Sequence, residues 1–448
     1  MAETNGTIGQ EQQDGLVSST IPPPATATHP AQKALPPQSA SWNPATLAMH
    51  ADDPLNLLTD VAPPIHVSTT FRYASDPSVL RPFRLSDRPG NNFPYQDADE
   101  HCYSRLTTHS TSRLEAILES LLHNPCVTYS SGLSAIHALL VHLNPKRVSI
   151  GDGYHGSHGV LALHTRLSGM KVLDLDCDAN ELQAGDLIML ETPVNPTGKA
   201  LNISHYAEKA HSKGAYLMVD STFAPPPLQD PFTHGADIVM HSGTKYIGGH
   251  SDMLCGVLSI RQDLAQDWLP RLLEDRVFLG SVMGGLEGWL GVRSVRTLEL
   301  RVMRQSESAG RLVDALSGAL TGATVGTGLS QSDVETIRKV VEDVQHASLQ
   351  SDDWKAGWLK KQMSNGFGPV FAVSLKSDEL ARRLPSKLHL FHHATSLGGV
   401  ESLIEWRTMT DGTVSRNLLR VSVGVEDYRD LLDDMLQGFR SLTEELEL

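Results

Sequence analysis

The chain has 448 residues, a formal charge of −15 and 40% hydrophobic residues. That length can bury two domain cores, and the acidic balance argues against nucleic acid as the main partner, which would need clustered Lys and Arg. No apolar run reaches the roughly 18 residues that cross a bilayer, and four widely spaced cysteines (Cys102, Cys126, Cys177, Cys255) give neither a disulfide framework nor a zinc motif. No metal site is expected.

Residues 1–42 are rich in Pro, Thr, Ala and Gln, as in IPPPATATHPAQKALPPQSA. A segment with so few apolar residues cannot repay its ordering entropy, so a disordered tail is expected. A mitochondrial presequence would be rich in arginine and poor in acids. Here the first arginine is Arg72, whereas Glu3, Glu11 and Asp14 come early. A cytoplasmic protein is the expectation.

From about residue 125 short apolar runs alternate with helical stretches. CVTY (126–129) precedes a stretch in which Ile136, Leu139, Leu140 and Leu143 fall on one helical face. RVSI (147–150), KVLDLD (171–176), LIML (187–190), YLMV (216–219) and DIVM (237–240) follow. Such runs separated by helices predict a parallel or mixed sheet covered on both faces, in an α/β protein. The segment 285–316 reads as a long helix or helix pair. FGPVFAVSL (367–375) and LLRVSVGV (418–425) read as strands of a smaller α+β region, closed by an amphipathic C-terminal helix.

Ligands of such sheets sit beyond the carboxyl ends of the strands, so the residues after each run are the candidates. Ser131, Gly132 and Leu133 open a helix. They suit either an anion at its N-terminus or an ordinary serine cap. Tyr154 lies in GDGYHGSHG, as a plate for a flat ligand or as a loop anchor. Asn195, between two prolines in ETPVNPTG, is an aimed amide or a rigid Asx turn. Asp220 ends a buried strand, where a carboxylate needs a partner. It is followed by Ser221 and Thr222. Lys245 stands in HSGTKYIGGHSD (241–252) beside Ser242 and Thr244. A desolvated lysine there would be nucleophilic, whereas a loop lysine would be inert. Taken together, an anion cradle, an aromatic plate, an aimed amide, a lone carboxylate and a lysine match one ligand. Pyridoxal phosphate needs a phosphate cup, a lid, a bond to its 3′ oxygen, a carboxylate on its ring nitrogen and a lysine Schiff base.

Seven motifs then resemble the Cys/Met-metabolism family of pyridoxal-phosphate enzymes, the trans-sulfuration enzymes. They are YSR (103–105), SSGLSA (130–135), ETPVNPTGK (191–199), VDSTFAPP (219–226), SGTKYIGGHSD (242–252), SLGGVESLIE (396–405) and LLRVSVGVED (418–427). The resemblance implies an aspartate-aminotransferase-type fold (fold type I), with a seven-stranded, mainly parallel large domain and a smaller α+β domain. The implied divisions are an arm over 43–100, a cofactor domain over 101–310 and a small domain over 311–448. It implies that Lys245 is the covalent anchor and proton shuttle, that Tyr154 stacks on the ring and acts in proton transfer, and that Asp220 pairs with the ring nitrogen. Ser131, Gly132, Leu133, Thr222, Ser242 and Thr244 would line the cofactor site, and Asn195 would sit near the 3′ oxygen. Arg420 and Ser396 would take the substrate α-carboxylate. Tyr103 and Arg105 would reach the phosphate of a neighbouring subunit, which implies at least a dimer and commonly a dimer of dimers.

Several positions depart from the family pattern. Thr108-His109-Ser110 replaces the usual N-P-T, and Thr395 stands where glutamate or an aromatic is common. The loop WRTMTDGTVSRN (406–417) is shortened and lacks the usual histidine, and SLQSDDWKAGWLKKQMSNG (348–366) is extra. The implied activity is γ-replacement on an O-acyl-homoserine by cysteine or another nucleophile, of cystathionine γ-synthase type. The alternatives are a cystathionine β- or γ-lyase, a diverged γ-replacement enzyme, or a cofactor-binding protein without turnover. The expected partners are small amino-acid substrates and other copies of the chain.

Overall fold

The computed structural model describes residues 41–56, 60–73, 75–80 and 101–447. The expected tail lies outside them except for Ser41 and Trp42, as do residues 57–59, 74 and 81–100 of the expected arm. Trp42 packs against the core that contains Leu47.

The larger sheet has seven strands: β1 (Cys126–Tyr129), β2 (Arg147–Ile150), β3 (Lys171–Asp174), β4 (Leu187–Glu191), β5 (Tyr216–Asp220), β6 (Ile238–Ser242) and β7 (Gly256–Ile260). Their order is β1-β7-β6-β5-β4-β2-β3. Only β7 runs against the others, antiparallel to both β1 and β6. The inner strands β4, β5 and β7 are nearly continuously apolar because both faces are covered, whereas the edge strand β3 is largely exposed. On one face Val127, Met189, Met218, Ile238 and Leu258 meet Ile136, Leu139 and Leu140 of helix Gly132–Leu143 and Leu269 and Leu272 of helix Gln262–Leu279. On the other, Ile188, Leu190, Leu217, Val219 and Val239 meet Ile203, Tyr206 and Ala210 of helix Ile203–His211. The alternation along β4 and β5 is the period-two geometry of a strand.

The smaller sheet contains β8 (Val341–Gln345), β9 (Val370–Leu375), β10 (His392–His393), β11 (Leu403–Trp406) and β12 (Leu418–Ser422), in the order β10-β11-β12-β9-β8. The C-terminal helix Tyr428–Glu445 buries Leu431, Met435, Phe439 and Leu442 against Phe371, Leu419 and Val421. Full burial of such side chains stabilises by about 1.5–3 kcal/mol each. Asp427 caps this helix by accepting from Arg429 N at 3.0 Å.

Segment 285–316 is a helix pair, Gly285–Val295 and Leu298–Thr321. The second helix serves both cores. Leu298 and Val302 belong to the core next to the large sheet, whereas Leu312, Val313 and Leu316 belong to that of the small sheet. Position 310 lies within this helix. Among the described residues no helix is long and apolar enough to cross a membrane.

Two register pairs set charged residues side by side. Glu191 at the end of β4 lies opposite Asp220 at the end of β5, and Glu405 on β11 lies opposite Arg420 on β12.

Candidate active site

At the carboxyl ends of β4, β5 and β6 a cavity of about 250 Å³ opens. Ser131, Gly132, Leu133, Tyr154, Asn195, Asp220, Thr222, Ser242, Thr244 and Lys245 all line it. Ten residues read from separate strand ends therefore converge on one space. Apart from the Glu191 carboxyl its other walls are apolar, among them Pro193, Phe223, Leu254 and Leu397.

The helix Gly132–Leu143 begins at one wall. Ser131 is its cap, accepting from Ser134 N at 3.1 Å, so the ordinary serine-cap reading holds as well. The cap takes the Ser134 amide and leaves those of Gly132 and Leu133 without a partner within the helix, so it does not compete with an anion site. A Cβ at position 132 would come within 2.9 Å of Met240 Cε and 3.2 Å of Ser242 Cβ, so glycine lets the helix end close onto β6. Ser242 stands beside that end. Thr244 is tied to Cys255, whose N–H donates to the Thr244 hydroxyl at 3.0 Å. The backbone past Lys245 turns at Gly249, which has φ +64° and sits against the Arg301 guanidinium. Arg301 in turn donates to Tyr246 O at 2.8 Å.

Asp220 is held at one oxygen by Thr222, which donates from its N–H (3.0 Å) and its hydroxyl (2.5 Å). The same hydroxyl accepts from Ser242 N at 2.9 Å, so Thr222 stitches β5 to β6. Burial raises the Asp220 carboxyl above its ordinary value, and the Thr222 bonds oppose the rise.

Glu191 is a neighbour that sequence reasoning missed. Its Oε2 accepts from Tyr154 N at 2.8 Å and its Oε1 from Asn195 N at 2.7 Å. Burial, reinforced by the Asp220 charge, pushes it up to about 8. One carboxyl group thereby fixes the backbone of both the aromatic plate and the aimed amide. The Tyr154 side chain is 38% exposed at the cavity mouth.

Lys245 donates from Nζ to Ser396 Oγ at 2.8 Å. Burial lowers its pKa to about 8, and the Arg420 charge acts in the same direction. Ser396 holds φ +76°, a left-handed conformation that costs energy for a non-glycine residue and is typical of functional sites. Its carbonyl accepts from Arg420 Nη2 at 2.8 Å, and Arg420 Nη1 donates to Asn195 Oδ1 at 3.1 Å. Arg420, Asn195, Ser396 and Lys245 thus form one connected group. Behind it lies buried Glu405, 2.5 Å from Arg420 Nη2, also unread from the sequence. Burial lowers Arg420 to about 10, while Glu405 works against the drop.

Tyr103 and Arg105 are not brought into this cavity. They line a separate cleft with Val67, Thr69, Val282 and Leu286, where the Arg105 guanidinium lies 5.2 Å from the Tyr103 ring centre. The extra stretch 348–366 lies beneath the ETPVNPTG loop. Gln350 exchanges two hydrogen bonds with the Ala200 backbone, and Gln362 pairs with Leu201 O and Ile203 N.

The residues present fit pyridoxal phosphate. A glycine-opened helix end suits its phosphate, a buried carboxylate suits its ring nitrogen, and a desolvated lysine suits covalent attachment. Comparison with known proteins agrees. A sequence model of the family described as Cys/Met metabolism PLP-dependent enzyme matches residues 45–440. Cystathionine gamma-lyase of Saccharomyces cerevisiae is 31% identical over 89% of this chain and 98% of its own length. Cystathionine gamma-synthase of Escherichia coli is 30% identical over 85% of this chain and 93% of its own length. The crystal structure of metB from Corynebacterium glutamicum superposes with a TM-score of 0.75 at 27% identity, covering 90% of this chain and 99% of that one. The fold is accordingly that of the type I pyridoxal-phosphate enzymes, and the chain belongs to the Cys/Met-metabolism family of PLP-dependent enzymes.

Proposed function

We propose that the protein catalyses γ-replacement on an O-acyl-homoserine, with cysteine or another nucleophile, as a cystathionine γ-synthase-type transferase. The observation that carries this reading is the division of the cavity wall. Its polar groups, Glu191 among them, cluster around Lys245, Asp220 and the helix end at Gly132, while Leu254, Leu397, Phe223 and Pro193 form an apolar stretch. The apolar stretch gives the O-acyl group a surface to lie against.

In this reading Ser131, Gly132, Leu133, Ser242 and Thr244 hold the phosphate. Asp220, steadied by Thr222, faces the ring nitrogen, and Tyr154 covers the ring. Arg420 takes the substrate α-carboxylate as a planar, bidentate donor, with Asn195 and Ser396 setting its direction. Pyridoxal phosphate, when bound, supplies the electron sink for charge at the substrate carbons. Lys245, lowered to about 8 by burial and bonded to Ser396, takes the proton from Cα and moves protons along the side chain. A general base works best with a pKa near the working pH.

A cystathionine β- or γ-lyase is the second reading. It is favoured by the yeast γ-lyase matching this chain as well as the bacterial γ-synthase does. A panel of O-acyl-homoserines with cysteine, and of cystathionine, methionine and cysteine alone, separates the two. Formation of cystathionine from an O-acyl-homoserine is expected, and turnover of cystathionine alone sinks the synthase reading. In the same preparations Lys245→Ala is expected to lose the visible band that borohydride bleaches, and an unchanged spectrum refutes the anchor.

A further inference from the structure

The shortened loop 406–417 builds a buried ion cluster around Arg407, one of the largest fully buried side chains of the protein. Arg407 Nη1 lies 3.4 and 3.3 Å from the two oxygens of Glu405 and 2.5 Å from Thr410 Oγ1. The Thr410 hydroxyl donates to Glu405 Oε1 at 2.6 Å. Arg407 Nη2 lies 3.7 Å from Asp411 Oδ2 and 3.4 Å from His155 Nδ1. Glu405 is therefore shared between two guanidinium groups, and the other is Arg420.

The charges make this arrangement consequential. Glu405 alone would neutralise Arg420, and an incoming carboxylate would meet an anion as near as the cation. With Arg407 present, Glu405 is shared by two guanidinium groups and Asp411 has a cationic partner of its own. Without it, Glu405 would pair with Arg420 alone and Asp411 would lose its cation, so a further carboxylate is disfavoured in this buried setting. The planar fork of Arg407 spans Glu405, Thr410, Asp411 and His155, which a compact ammonium would not. His155 directly follows Tyr154 and starts helix His155–Ser168, so the same group also steadies the segment carrying the aromatic plate.

We propose that Arg407 is a positioning residue that holds Glu405 in balance and so keeps Arg420 available to the substrate α-carboxylate, making the site selective for amino acids over amines without a carboxylate. The inference rests on the assignment of Arg420 to that carboxylate. The test titrates the holoenzyme with L-alanine and with L-alaninamide, read by the visible band of the bound cofactor. Arg407→Met is expected to weaken L-alanine binding by about tenfold or more and to leave L-alaninamide unchanged. Adding Asp411→Asn restores one guanidinium against one carboxylate. The double variant is expected to recover most of the L-alanine affinity, and it keeps the test open should the single variant misfold. Equal weakening of both probes, or no recovery in the double variant, overturns the inference. Arg420→Met separates the two layers. If it leaves the L-alanine to L-alaninamide ratio unchanged, the carboxylate assignment itself fails. If it lowers the ratio and Arg407→Met does not, only the role of Arg407 fails.

Discussion

Glu191 shows how much one side chain can decide. Both its oxygens accept from backbone N–H groups, one on Tyr154 and one on Asn195. Glutamine is nearly isosteric but can accept at only one of those positions, and its amide would turn a donor toward the other N–H. A buried donor left unpaired costs about 1–3 kcal/mol. Glu191→Gln is therefore expected to loosen cofactor retention and raise KM by about tenfold, measured by dialysis against the visible band and by steady-state kinetics. Unchanged values would show that the two bonds do not set the site. Lys245 carries a pH prediction. Its amine is nucleophilic only when neutral, and burial, aided by Arg420, lowers its pKa from 10.5 to about 8. Cofactor capture by the cofactor-free protein should accelerate as pH rises through about 8 and level off above it. Arg420→Met should move that midpoint upward, because one of the lowering charges is gone. Rapid mixing with pyridoxal phosphate at a series of pH values reads both, and a wild-type midpoint near 10.5 would mean that the lysine is not desolvated.

At the scale of elements, the extra stretch 348–366 acts as a brace. Gln362, in the helix Trp358–Gln362, is buried and bonded to Leu201 O, Ile203 N and Gln229 Oε1. Gln229 continues to Thr192 O and to Ser221 Oγ, between the ETPVNPTG loop and the end of β5. Gln362→Leu would strand several buried polar groups at once, so a loss of about 2 kcal/mol or more is expected. A thermal melt with an unaltered midpoint would show that the stretch only covers the surface. Strands β1, β2, β4, β5 and β6 were legible in the sequence because burial on both faces leaves continuous apolar runs, and the groups at their carboxyl ends follow from sheet geometry. Glu191 was hidden because it looked like the first residue of a loop, when its weight comes from the β4–β5 register that puts it opposite Asp220. Arg407 was hidden for a related reason. Its neighbour His155 lies 252 positions away, and no local pattern announces that contact. Strand β7 carried a weaker signal, a five-residue run that the parallel pattern did not require.

For the whole molecule, the placement of Tyr103 and Arg105 outside their own cavity leads to the last prediction. The arm joins them directly: Thr70 bridges to Tyr103, Phe71 N donates to Cys102 O at 3.0 Å and Ser104 N to Thr69 O at 2.9 Å. Along that arm Val61, Val67 and Tyr73 are 99%, 81% and 76% exposed, and Val67 shares the cleft of Tyr103 and Leu286. Val67, Tyr103 and Leu286 are all exposed and line one cleft, and apolar exposure gathered in this way marks a surface that another chain covers. We infer that a second copy packs there and that Tyr103 and Arg105 complete the phosphate site of that copy. Each cavity would then need Lys245 from one chain and Tyr103 from the other. Tyr103→Ala should release cofactor more readily, and Lys245→Ala should be unable to anchor it. In a mixed dimer the cavity carrying the intact Lys245 would face the intact Tyr103 of the other chain, so one site per mixed dimer should regain tight cofactor binding and turnover. A cis arrangement makes the opposite prediction, because neither chain then holds both residues. Subunit exchange can be followed with differently tagged chains, so that recovery is scored only on mixed species. Verified mixed dimers without recovery would place Tyr103 and Arg105 outside the catalytic unit and leave the exposed arm as a surface without a part in the chemistry.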